Sequence, residues 1–139
     1  MITAADRQTT FDRKDLSDQQ LLDIYRNILK PRLIEEKMLS LLRQGKISKW
    51  FSGIGQEAIS IGATMALNSE EYILPMHRNL GVFTTRKLPL TRLFSQFQGK
   101  ANGYTNGRDR SFHFGVKEAK IVGMISHLGP QLGVADGIA

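Results

Sequence analysis

The sequence predicts an α/β fold in which a helical N-terminal segment is followed by short parallel strands with flanking helices. Residues 16–45 carry apolar side chains at helical spacing, which predicts a long first helix. Two short apolar runs, residues 71–76 and 121–125, predict buried strands. Because stretches with helical spacing lie between and after these runs, the pattern favours a mostly parallel sheet covered by helices.

The first helix carries a start signal, a stop signal and one internal breaker. Ser17 followed by Gln20 is a capping-box pattern, and Gly45 ends the periodic stretch. Pro31 lies in the middle of the helix and removes one backbone hydrogen bond, so we expect a kink or break near Lys30. The charged residues 35–37 are expected to form a solvated helix face.

The remaining elements follow from glycine, proline and helical spacing. Residues 56–67 predict a second helix, and Pro89 suits the first turn of a further helix that ends before Gly99. Residues 1–15 are polar and aperiodic and are expected to form a flexible arm, whereas residues 16–139 form one domain portion. The last helical pattern has no C-cap and no following strand, which indicates the N-terminal part of a larger protein.

The composition restricts the partners. Nineteen Lys and Arg against thirteen Asp and Glu give a net charge of +6 over 139 residues, which favours anionic ligands or an acidic protein surface. The absence of cysteine excludes disulfides and thiolate metal sites. The sequence contains neither a signal-peptide pattern nor an apolar run of membrane-spanning length, so a cytoplasmic protein is expected.

The three histidines all lie in or beside loops that accompany apolar runs. In open α/β sheets, such loops at the carboxyl ends of strands line the ligand crevice. A single histidine is more often a structural or surface residue, but the shared placement of His77, His113 and His127 favours a functional role. His77 beside Arg78, at a possible helix start, predicts an anion site.

The sequence lacks the motifs of other common nucleotide- and metal-binding sites. The sequence contains no Walker A pattern, no Rossmann glycine fingerprint and no histidine spacing typical of zinc. A basic, non-catalytic module that binds RNA or an acidic partner remains an alternative because of the charge, although the basic residues are scattered and no nucleic-acid-binding motif is present.

Four stretches taken together resemble a known family. GIGQEAISIGATMAL, ILPMHRNLGVFTTR, GRDRSFHFG and IVGMISHLGPQLGVADGIA are similar, in order and spacing, to the alpha subunit, or alpha half of a fused chain, of the thiamine diphosphate-dependent component of 2-oxo acid dehydrogenase complexes. The resemblance runs from about Leu22 to the last residue. HRNLG and SHLGP favour the branched-chain (2-oxoisovalerate) type, with the pyruvate or acetoin type as the alternative.

The resemblance implies a role for individual residues. His77 and Arg78 would contact the cofactor diphosphate, and His113 and His127 would be candidate catalytic residues that donate hydrogen bonds or move protons. Residues 100–120 contain several glycines and few aliphatic residues, and we call them the glycine loop. Further cofactor contacts would come from this loop and from the turn before the last helix, namely Ser111, Leu128, Gly129 and Gln131. Ser126 would be a candidate potassium ligand, and residues 55–57 would start a helix with a structural role.

The resemblance also implies what must come from elsewhere. The family holds Mg²⁺ and the diphosphate through a Gly-Asp-Gly motif and a later Asn, and this chain has neither, so it is expected to end before that motif. The activating glutamate belongs to the beta subunit or beta half, and the isolated chain is expected to be inactive. The implied partners are that beta part, a lipoyl acyltransferase component, a 2-oxo acid and further copies of the enzyme in a homo-oligomer, with neither nucleic acid nor membrane.

Overall fold

The computed structural model describes residues 11–109, 111–123 and 128–139, and the predicted helices are present in it. None of the helices in these ranges is long and apolar enough to cross a membrane. The helices are α1 (Asp18–Arg43), α2 (Glu57–Ala66), α3 (Leu80–Thr85), α4 (Leu90–Phe97) and α5 (Pro130–Ile138), and a 3-10 turn covers Lys117–Ala119.

Helix α1 begins at the predicted capping box. The Ser17 hydroxyl oxygen accepts from the backbone N–H of Gln20 at 3.3 Å, and the Gln20 side-chain oxygen accepts from the backbone N–H of Ser17 at 2.8 Å. The helix then runs without interruption through Pro31, so a break near Lys30 is wrong, and the alternative of a kink there stays a prediction. Pro31 is buried, and the packing of its ring offsets the hydrogen bond that the proline removes.

The prediction of a solvated face for residues 35–37 is wrong at its first position. Glu36 and Lys37 are exposed, but only 1% of the Glu35 surface is accessible. The buried positions of α1 follow helical spacing and include Glu35 together with Pro31, Ile34 and Met38. A carboxylate therefore lies on the face of α1 that packs against the rest of the molecule.

The strand part of the predicted fold is not confirmed in the described residues. Ile73 and Ile121 form a single parallel bridge, in which Ile73 N donates to Lys120 O at 2.9 Å and Val122 N donates to Ile73 O at 3.0 Å. Residues 71–76 and 121–123 form no longer ladder, and residues 124–127 lie outside the described residues. Short parallel strands are normally stabilised by neighbouring strands and by helices on both faces, so one pairing alone stays a bridge.

An aromatic cluster joins the segments around the predicted site. The rings of Trp50 and Phe97 lie 5.0 Å apart, and Phe112 lies 5.1 Å from each of them. The Phe83 ring of α3 packs 5.0 Å from Phe114. Because all of these rings are buried, the cluster holds the segment after α1, the end of α4 and the residues around His113 against one another.

Candidate functional site

The His77–Arg78 pair lies in a tight turn that leads into α3. The Asn79 side-chain oxygen accepts from the backbone N–H of Met76 at 2.7 Å, and the backbone N–H of Asn79 donates to Met76 O at 3.0 Å. These two bonds close the turn around the pair. His77 is half-buried and Arg78 is exposed, so the guanidinium faces solvent while the imidazole is partly enclosed.

Residues 51–53 pack directly against this turn. Arg78 Nη1 donates to the carbonyl oxygen of Ser52 at 2.8 Å, and the Phe51 ring meets the His77 ring edge to face with 5.1 Å between centroids. At Gly53, a Cβ atom would lie only 2.0 Å from the carbonyl oxygen of Arg78. Only glycine therefore permits this approach of the two backbones.

The buried carboxylate of Glu35 anchors the same segment from α1. Its Oε2 accepts from Trp50 Nε1 at 2.7 Å, and its Oε1 accepts from the backbone N–H of Gly53 at 3.0 Å. Both oxygens are thus engaged by donors at the two ends of residues 50–53. Sequence reasoning missed this role of Glu35, and the signal that could have found it is its position on the buried face of α1.

A second carboxylate fixes the start of α2. Glu57 accepts from Arg32 Nε at 2.6 Å and from the backbone N–H of Gly55 at 2.8 Å. The hydrogen bond from Arg32 is the main reason why the pKa of Glu57 lies below its usual value, with burial acting in the opposite direction. The contacts of residues 55–57 join α1 to the first turn of α2.

The surroundings of His77 lower its pKa and so favour its neutral form. Burial is the largest cause that lowers the pKa of His77, and the charges of Arg78 and His113 lower it further. The Nδ1 atom of His77 is buried and has no hydrogen-bond partner among the described residues. A neutral imidazole in this position can hydrogen-bond to a ligand, while the fixed positive charge of the pair resides on Arg78.

His113 lies close to this turn, and Ser111 lines a cavity whose wall includes Phe51, the ring that contacts His77. His113 is near enough to His77 to affect its pKa, and its two neighbours in the sequence, Phe112 and Phe114, are buried. These two phenylalanines belong to the hydrophobic core and fix the backbone on both sides of the histidine. Ser111 is half-buried. The structure therefore brings four predicted site residues, His77, Arg78, Ser111 and His113, into one region.

A cavity of about 680 Å³ borders this region. Its walls are residues 45–49 and 51, the end of α4 with residues 98 and 99, and residues 108, 109 and 111. Phe51 belongs both to the cavity wall and to the contact with His77. The cavity therefore opens beside the His77–Arg78 turn.

The other predicted cofactor contacts are placed differently. Leu128 is 69% exposed, Gly129 precedes α5 with φ +104°, and Gln131 lies in the first turn of α5. No described residue of α5 is buried. Leu128 and Gly129 therefore take no part in the buried contacts around His77, and the predicted residues Ser126 and His127 lie outside the described residues. Within the described ranges, no three His, Asp, Glu or Cys side chains come together as a metal site.

Comparison with known proteins identifies the family. Residues 25–139 match the family model described as dehydrogenase E1 component. The chain is 40% identical over 126 residues to the 2-oxoisovalerate dehydrogenase subunit alpha of Bacillus subtilis, with 89% of this chain and 38% of the relative covered. It is 33% identical over 116 residues to the subunit of the same name in Pseudomonas aeruginosa, with 84% of this chain and 28% of the relative covered.

A relative of another type is also similar. The chain is 35% identical over 95 residues to the pyruvate dehydrogenase E1 component subunit alpha of Staphylococcus aureus, with 67% of this chain and 26% of the relative covered. The chain thus spans well under half of the length of each of these relatives. Because the family model covers most of the sequence, the chain belongs to the dehydrogenase E1 component family.

Proposed function

We propose that the intact protein is the decarboxylating component of a 2-oxo acid dehydrogenase complex, which acts on a branched-chain 2-oxo acid and transfers the acyl group to lipoamide. The observation that carries this proposal is the family match over residues 25–139, together with relatives named 2-oxoisovalerate dehydrogenase subunit alpha. The described residues supply one wall of the site, and the rest of the protein and a beta subunit or beta half supply the remainder.

The proposed cofactor is thiamine diphosphate with Mg²⁺, and the geometry around Arg78 fits the diphosphate. One guanidinium nitrogen of Arg78 is engaged with Ser52, and the exposed side chain has further N–H groups that can bind an anion. The buried Nδ1 of His77 provides an additional polar contact beside it. The chemistry supplied by the bound cofactor is attack on the 2-oxo carbon and acceptance of the electrons released with carbon dioxide.

The residues of this chain bind and orient the reacting groups. Arg78 balances diphosphate charge, and His77 hydrogen-bonds as a neutral imidazole. His113 would donate a hydrogen bond or move a proton at the reacting group before acyl transfer, and Ser111 would contact the cofactor. His127 remains a second catalytic candidate. The aminopyrimidine ring of the cofactor would be held by Leu128, Gly129 and Gln131, and Ser126 is a candidate ligand for K⁺.

The proposed partners follow from the family. The relatives are named as alpha subunits, which supports a beta subunit or beta half as the partner of this chain. A lipoyl acyltransferase component receives the acyl group, the enzyme is a homo-oligomer of the assembled parts, and it acts in the cytoplasm.

A pyruvate-type enzyme is the second candidate, because pyruvate dehydrogenase subunits are among the similar proteins. The two candidates differ in the side chain that the substrate carries. Comparison of kcat/KM for 3-methyl-2-oxobutanoate and for pyruvate, measured with the full-length enzyme, separates them. A higher value for pyruvate would replace the branched-chain assignment.

The site assignment is tested with Arg78→Ala in the full-length protein paired with its beta part. We expect the KM for thiamine diphosphate to rise by about tenfold or more, since a charge-assisted hydrogen bond to the diphosphate is lost. The KM for the 2-oxo acid should change much less. His113→Ala should instead lower kcat, because the imidazole acts on the reacting group.

Arg26→Ala is the matched control, since Arg26 is an exposed arginine on α1 that pairs with Asp23. It should leave the KM for both ligands unchanged. If Arg78→Ala also leaves the KM for thiamine diphosphate unchanged, Arg78 does not bind the diphosphate.

A further inference from the structure

The cavity beside Phe51 has a mixed lining, of which the proposed cofactor contacts use only Ser111. Its volume of about 680 Å³ is typical of sites for small organic ligands. Ile47 and Phe97 give it apolar walls. The charged lining residues are three cations and one anion, so the lining is positive on balance: Lys46, Lys49, Arg108 and Asp109. An apolar wall combined with cations suits a small organic acid, whose hydrocarbon part and carboxylate require different surroundings.

Among the positively charged residues that line the cavity, Lys49 has described contacts that lead to the candidate site. Its Nζ lies 5.6 Å from the centroid of the Phe51 ring, and the same ring contacts the His77 ring at 5.1 Å. One aromatic ring therefore separates the Lys49 ammonium from the His77 imidazole. Lys49 is exposed, so its flexible side chain can turn from the ring face toward a ligand in the cavity.

We propose that Lys49 binds the carboxylate of the 2-oxo acid at the end of the cavity next to His77, with the hydrocarbon part of the substrate against the apolar wall. This inference rests on the proposed function and adds a substrate-binding residue to it. Arg78 is already hydrogen-bonded to Ser52 and is assigned to the diphosphate, so the substrate carboxylate requires another cation. Lys49 is the charged group that reaches the same region from the cavity side.

The test is steady-state kinetics of the full-length enzyme with its beta part, with 3-methyl-2-oxobutanoate as the substrate. Lys49→Met keeps most of the side-chain volume and removes the charge. We expect the KM for the 2-oxo acid to rise by about tenfold, as for loss of one charged hydrogen bond. The KM for thiamine diphosphate should stay unchanged, and Lys49→Arg should restore most of the substrate affinity because it keeps the charge.

Lys46→Met is the matched comparison, because Lys46 also lines the cavity and its substitution changes the net charge equally. It should raise the KM for the 2-oxo acid by less than about threefold, as a longer-range charge effect does. Equal effects of Lys46→Met and Lys49→Met would show a diffuse field rather than a binding residue. An unchanged substrate KM in Lys49→Met would also overturn the inference.

The outcomes separate this inference from the function on which it rests. If the wild-type enzyme turns over the 2-oxo acid and Lys49→Met raises the KM for thiamine diphosphate instead, Lys49 belongs to the cofactor site and only the inference fails. If the wild-type enzyme does not turn over any 2-oxo acid, the proposed function fails and the inference fails with it. An unchanged thermal midpoint of Lys49→Met shows that a change in KM is not due to unfolding.

Discussion

Two regions that each contain residues predicted to contact the cofactor are held very differently. The anchored wall, residues 50–53 and 77–79, is fixed by Glu35, by the Arg78–Ser52 hydrogen bond and by the Phe51–His77 ring contact. The open end, residues 128–139, has no buried residue and exposes large apolar side chains, including Leu128 at 69% and Leu132 at 74%. The first region is tied to the core of the molecule, whereas the second is only locally helical.

The contrast shows which part of the candidate site this chain organises by itself. The contacts of the anchored wall join residues 15 to 26 positions apart, so tertiary packing fixes their geometry. The open end obtains its helix from local hydrogen bonds, and its apolar side chains contribute little burial energy. A ligand contact on the anchored wall is therefore preorganised, and one on the open end requires further packing.

The largest expected effect comes from removing the anchor. Glu35→Ala leaves two buried donors, Trp50 Nε1 and Gly53 N–H, without their acceptor. We expect the free energy of unfolding to fall by about 3 kcal/mol, because each unsatisfied buried donor is costly. Urea unfolding of the wild-type and variant proteins, followed by fluorescence, measures the difference.

Glu36→Ala is the control for this substitution. Glu36 is the next residue of α1 and is exposed, so its loss should change the free energy of unfolding by less than about 0.5 kcal/mol. If the two variants are equally stable, the Glu35 carboxylate does not anchor residues 50–53 and the contrast between the two regions is lost.

A smaller effect is expected where the two backbones of the anchored wall meet. Gly53→Ala would place a Cβ atom 2.0 Å from the carbonyl oxygen of Arg78, so the segments must separate. We expect a loss of about 2 kcal/mol in the free energy of unfolding, as for other overpacked positions. Thermal and urea unfolding measure it, and a weaker affinity for thiamine diphosphate should accompany it because Arg78 moves.

Gly62→Ala tests the same substitution where space is available. Gly62 lies within α2, and a Cβ atom there meets no atom within 4 Å. Alanine should stabilise the helix by up to about 1 kcal/mol. A stability gain at Gly53 similar to that at Gly62 would contradict the close approach of residues 53 and 78.

The helices were predictable from the sequence because their signals are local. The capping box at Ser17 and Gln20 and the glycine after α4 act within one turn of their own helix. The strands were not, because residues 71–76 and 121–125 depend on partners far along the chain. In the described residues only two isolated bridges form, Ile73–Ile121 in parallel and Val116–Ile121 in antiparallel orientation. The break near Lys30 was wrong because burial of Pro31 depends on tertiary contacts.

The candidate site was predictable to a similar degree. The sequence pointed to His77, Arg78 and His113 because their charged and polar side chains stand out beside apolar runs, and the structure brings them together. It could not point to Glu35, since a buried carboxylate and a solvated one have the same letter in the sequence. Phe51 was missed for a related reason, because a ring that supports a histidine looks like any other apolar residue.

The smallest expected effect is a pH dependence of the free energy of unfolding, which reports how strongly the His77 imidazole is buried in the anchored wall. The pKa of His77 lies below its ordinary value of 6.5, mainly through burial, with Arg78 and His113 as the nearby charges. As the pH falls through 6.5, His77 is therefore protonated in the unfolded chain before it is protonated in the folded protein. The contribution of the neutral His77 to the free energy of unfolding is present above this pH and is lost as the pH falls further. Unfolding free energies between about pH 7.5 and 5.5 should consequently fall more steeply for the wild type than for His77→Gln. Parallel curves would show that the imidazole is solvated in the folded protein, and the anchored wall would then be as open around His77 as residues 128–139.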